Sequence, residues 1–136
     1  MMIARLLLTL LFSTLSLQAY FWDDYKVFAK YMHYETNYDK ALQKAKNEHK
    51  PLFMVVVTNG CPFCEKLMDR ILTKDYVREY IGKKYVTLIM NKEQQKVPTK
   101  YLRLFEPVTY IIDPDSEQII DEIDGYMQEE YYLWHL

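Results

Sequence analysis

Cys61 and Cys64 are the only cysteines in the chain, and two residues separate them in Cys61-Pro62-Phe63-Cys64. A pair at this spacing can exchange a disulfide, supply half of a soft-metal site, or close a structural bridge. A bridge over so short a loop removes little entropy from the unfolded chain. A zinc site needs two more ligands, and His33, His49 and His135 are not at ligand spacing to the pair. The reading favoured is thiol–disulfide exchange, with Cys61 attacking and Cys64 resolving the mixed disulfide. Cys61 at the start of a helix would meet unpaired backbone N–H groups that favour a thiolate, while Cys64, one turn later, points inward. Pro62 suits the first helical turn because it has no N–H to satisfy.

That chemistry needs a strand ahead of the pair and a helix behind it. Residues 52–57 (LFMVVV) form a continuous apolar run rich in β-branched side chains, which predicts a strand buried on both faces. Residues 65–72 (EKLMDRIL) predict a helix with Leu67, Met68, Ile71 and Leu72 inward. A second helical piece is expected over 75–81, capped by Thr73 and ended by Gly82. Strands are expected over 85–90 (YVTLIM) and 108–112 (VTYII). A turn at 113–116 leads to a hairpin partner over 118–123. Residues 39–48 read as a helix with Ala41, Leu42 and Ala45 on one face, 99–105 as a short helix, and 127–136 as a closing helix after Gly125. Met54, Met68 and Met90 fall in these elements as core residues. The order gives an α/β fold with a mixed sheet flanked by helices.

Ahead of this lies a segment dense in aromatics, residues 20–38. Phe21, Tyr25, Phe28 and Met32 line one helical face, read as an extra N-terminal helix packed on the domain. Residues 1–19 have the layout of a secretory signal peptide: Arg5, an apolar run from Leu6 to Leu17, and Ala19 before the expected cleavage point. The run is short for a membrane span, so an uncleaved anchor is the lesser reading. The division expected is therefore 1–19 signal peptide, 20–38 aromatic-rich helical segment, and 39–136 domain. A net charge of −2 over 136 residues lacks the basic excess of a nucleic-acid binder. Half the residues are hydrophobic, too many for a disordered chain.

The strand KPLFMVVV running into NGCPFC, then YVTLIM, EPVTYIIDPDSEQII and DGYM, resembles the thioredoxin fold over residues 39–136. More narrowly it is similar to the exported thioredoxin-related, SoxW-like proteins. The resemblance implies a cis-proline facing the redox pair. Pro107, leading straight into a strand, is chosen over Pro98 for that role. Pro62, Phe63, Glu106 and Pro107 would then line the substrate groove, with the Glu106 backbone available to pair with a bound peptide.

Three features depart from the family pattern. Val55 stands where thioredoxins keep a buried carboxylate, so Cys64 would lose its proton to water or to Glu65. The usual Trp ahead of the pair is missing. Glu106 replaces a small or β-branched residue, and two orientations are open to it. Facing Cys61, its charge would oppose the thiolate and make the pair reducing; facing water, it would do nothing measurable. Gly125 and Tyr126 match the closing motif, with Tyr126 read as packing.

The function expected is that of an exported, periplasmic thiol–disulfide oxidoreductase acting as a disulfide reductase. It would need no cofactor or metal beyond the Cys61–Cys64 pair. Expected partners are a protein or small-molecule disulfide and a membrane-embedded thiol donor, with no nucleic acid, the protein itself being a monomer. The alternatives are a disulfide-donating oxidase of the same fold, a non-catalytic carrier holding Cu(I) between the cysteines, and a docking module built on the Tyr-rich segment.

Overall fold

The computed structural model describes residues 24–136. The 1–19 leader and the start of the 20–38 segment, Phe21 included, lie outside them. Helix α1 is Tyr25–Met32 and opens on Asp24, whose carboxylate accepts from the Lys26 N–H at 2.8 Å. Its buried face is Tyr25, Phe28, Ala29 and Met32. Helix α2, Tyr38–Glu48, is capped by Asn37 and buries Ala41, Leu42 and Ala45.

Strand β1, Leu52–Val57, is buried at all six positions. It lies at the centre of a four-stranded sheet with β2 (Val86–Asn91), β3 (Val108–Ile112) and β4 (Ile119–Asp124), in the order β2-β1-β3-β4. The β1–β2 pair is parallel, and β1–β3 and β3–β4 are antiparallel. Strand alternation gives each face its own core. Phe53, Val55 and Val57 join the cluster containing Phe28, Tyr34, Cys64, Leu67 and Tyr132. Leu52, Met54 and Val56 join Ala41, Ala45, Tyr101 and Tyr110 on the other side. Just before α2, Glu35 forms a parallel bridge to Leu88 on β2.

Several boundaries differ from expectation. The helix after the cysteines is α3, Pro62–Leu67, and it continues as a π-helical turn, Met68–Leu72. Thr73 does not cap helix α4 (Asp75–Lys84); its hydroxyl donates back to the Asp69 carbonyl at 2.8 Å, as Thr does when it finishes a preceding helix. Gly82 does not end α4, which runs a further two residues. Residues 99–105 yield only a 3₁₀ turn, Thr99–Tyr101, because Tyr101 is drawn into the core while Leu104 and Phe105 swing into solvent. The closing helix α5 is shorter than expected, Glu129–Trp134.

Candidate redox site

Sheet and helix meet at a turn, Thr58 to Gly60, that is held from below. The Lys92 N–H donates to the Val57 carbonyl at 3.0 Å. Buried Asn91 donates through Nδ2 to Asn59 Oδ1 at 2.8 Å, and Gln94 Nε2 donates to the same oxygen at 2.8 Å. Glu93 Oε2 accepts from the Asn59 N–H at 2.8 Å. The turn ends on Gly60, whose φ of +58° is the left-handed conformation that suits glycine.

Cys61 follows as the N-cap of α3, and Pro62 occupies the first turn. The Cys64 N–H points at Cys61 Sγ from 3.2 Å. The two cysteines are joined in a disulfide. Cys61 is half-buried and Cys64 is 2% exposed, so one sulfur faces the groove and the other faces the core. Phe63 stands out into solvent, with the Lys66 ammonium 5.2 Å from its ring centre.

Across the groove the Glu106–Pro107 peptide is cis. The Glu106 carbonyl oxygen lies 3.6 Å from Cys61 Sγ, where a reduced thiol would donate to it. Gly125, with φ +76°, passes close behind and donates its N–H to the Pro107 carbonyl at 2.7 Å. Tyr126 is half-buried against the cluster that holds Cys64.

Glu106 takes neither orientation expected of it. Its side chain is turned inward, 3% exposed, with Oε1 2.7 Å from Lys92 Nζ. The reason is local: Lys92 leaves the end of β2 directly beneath this loop, and a buried carboxylate needs a counter-charge. Pairing from two loops leaves no periodic trace, so sequence reasoning missed Lys92, as it missed Asn91 and Asn59.

Val55 is fully buried and pairs in register with Thr109 on β3. The Thr109 hydroxyl is 2.8 Å from the Tyr132 hydroxyl, and burial pushes the Tyr132 phenol up, keeping it neutral. Hydroxyls thus stand beside Val55 on this side of the sheet. A small cleft of about 10 Å³, the space of one water, opens beside the cysteines and is lined by Tyr25, Thr58, Glu65 and Asn91. A wider groove of about 640 Å³ is bordered by Leu102, Leu104, Phe105 and Gly125.

Fold and site together define a thioredoxin-type protein with a Cys-x-x-Cys disulfide. Residues 38–136 match the thioredoxin-like domain, and the chain belongs to that family. In three dimensions it is similar to a thioredoxin from Thermus thermophilus, with 15% identity and a TM-score of 0.64, covering 74% of this chain and 82% of that one. The C-terminal domain of DsbD from Neisseria meningitidis, in its oxidised form, aligns over 76% of this chain and 99% of its own, with 15% identity and a TM-score of 0.59. A DsbH oxidoreductase aligns over 74% and 78%, with 19% identity and a TM-score of 0.56. No curated protein matches the chain in sequence.

Proposed function

We propose that this protein is an exported thiol–disulfide oxidoreductase that reduces disulfides in the periplasm. The observation that carries the chemistry is the asymmetry of the pair: Cys61 is half-exposed beneath the Glu106 carbonyl, while Cys64 is enclosed. In the reduced protein the Cys61 thiolate attacks a substrate disulfide R–S–S–R′. The Cys61–S–S–R bond forms, and R′S⁻ leaves and takes up a proton. Cys64 then gives up its proton, attacks Cys61 Sγ and expels RS⁻. The substrate has gained two electrons and the protein carries the Cys61–Cys64 disulfide. A dithiol donor restores the starting state.

The Cys64 proton leaves through the water-sized cleft beside Glu65, since Val55 offers no base. Pro62, Phe63, Pro107 and the Glu106 backbone line the groove in which the substrate lies, an extended peptide being suited to pair with Glu106. Export is supported by the charged, apolar and small-residue succession of residues 1–19, and the reducing direction by the likeness to exported thioredoxin-related proteins.

Insulin reduction with a dithiol donor tests the reading. The native protein should turn over, Cys61→Ser should fall to background, and Cys64→Ala should accumulate mixed disulfides with substrate. A reductase should show a potential nearer about −270 mV than about −120 mV. A potential at the oxidising end would make the protein a disulfide donor, and unimpaired turnover by Cys61→Ser would end the proposal.

A further inference from the structure

Lys92 touches both loops that form the redox site. Its backbone N–H holds the Val57 carbonyl at the end of β1, 3.0 Å away. Its ammonium is 2.7 Å from Glu106 Oε1 and donates to the Arg103 carbonyl at 3.3 Å. Glu106 is the residue whose carbonyl oxygen lies 3.6 Å from Cys61 Sγ. By covalent reach, its carboxylate stays within about 11 Å of that sulfur, even at full extension. A charge this near, on a side chain 3% exposed, is poorly screened by salt.

We propose that Lys92 is a positioning residue of the redox site, whose ion pair with Glu106 cancels a buried negative charge beside Cys61 and thereby sets the acidity of the attacking thiol. Left alone, the carboxylate would oppose the Cys61 thiolate; left alone, the ammonium would favour it. The pair leaves the sulfur facing a dipole rather than a charge. The other titratable or charged groups around the site include Tyr25 on α1, Glu65 and Lys66 on α3, Glu93 beyond β2, Arg103 with its partner Glu122, and Asp124 at the end of β4. They are common to every variant below, so differences among the variants report on the pair. This inference rests on Cys61 being the attacking sulfur.

The test is the pH dependence of Cys61 alkylation by iodoacetamide in the full, reduced protein. It is paired with the equilibrium constant against glutathione for Glu106→Gln, Lys92→Met and the double variant. Glu106→Gln should lower the Cys61 pKa by about one unit, and Lys92→Met should raise it by a similar amount. The double variant should return to within about 0.3 unit of the native value. The equilibrium constants should move in opposite directions by about tenfold, or about 30 mV.

A pair that only tied the loops together would shift both single variants the same way, or neither, and that result overturns the inference. Should Lys92→Met fail to fold, Glu106→Gln and the double variant decide: an unmoved pKa in Glu106→Gln is equally fatal. Lost insulin reduction in Cys61→Ser with an unmoved Glu106→Gln pKa refutes this inference alone. Retained turnover in Cys61→Ser refutes the functional reading instead.

Discussion

At the scale of single residues, the charges along one edge of the groove oppose one another. Arg103 forks onto Glu122, with Nε and Nη2 each 2.7 Å from a carboxylate oxygen. This hydrogen-bonded guanidinium holds the Glu122 carboxyl below the usual range. Its stabilising contribution is present above the unfolded carboxyl pKa and is lost as pH falls through the lowered folded value. Asp124 is the reverse case. Partial burial, then the neighbouring Glu122, raise its carboxyl above the ordinary value. It therefore costs stability at neutral pH, and that cost is relieved as pH falls through the raised folded pKa. Asp124→Asn should stabilise the protein at pH 7 by about a few tenths of a kcal/mol, a small gain because the group is largely solvated. In urea titrations the gain should fade by about pH 3, where the native carboxyl is already protonated.

At the scale of elements, helix α1 is part of the core although it lies ahead of the matched domain. Phe28 is fully buried and meets Tyr34 edge-on at 5.4 Å, and Tyr34 in turn meets Phe53 of β1 at 6.2 Å. Phe28→Ala should cost about 3–5 kcal/mol in denaturant unfolding, the cost of a cavity in the cluster that also holds Cys64. A helix merely attached for docking would lose almost nothing. Elements of this kind were legible in the sequence because burial writes itself into side-chain pattern: α1 and α2 follow from spacing, and β1 from its unbroken β-branched apolar run. The cysteine pair was legible because its two side chains lie one helical turn apart. What stayed hidden depends on contacts between distant segments. Lys92 and Glu106 meet through the tertiary fold, and Gly82 stays helical because Val77 and Ile81 hold α4 onto the core. Leu102, Leu104 and Phe105 have apolar side chains yet lie exposed, where the sequence predicts a short helix over 99–105.

At the scale of the whole molecule, two separate clusters clasp one sheet, and the redox pair sits beyond the end of β1, with Cys64 belonging to one of those clusters. The Cys61–Cys64 bond spans only three positions of sequence, so breaking it releases little unfolded-state entropy. Reduction should lower global stability by no more than about 2 kcal/mol, measured by thermal unfolding with and without dithiothreitol. A larger loss would mean the bond is a staple rather than a working part. The short stretch around Glu35 has a different consequence. Its N–H donates to the Thr87 carbonyl at 2.9 Å, and its carbonyl accepts from the Ile89 N–H at 3.0 Å. The outer margin of β2 is thus already occupied at its middle by the protein's own backbone. A foreign polypeptide seeking to lengthen the sheet there would first have to evict that residue, which guards this margin of the sheet against edge-to-edge stacking.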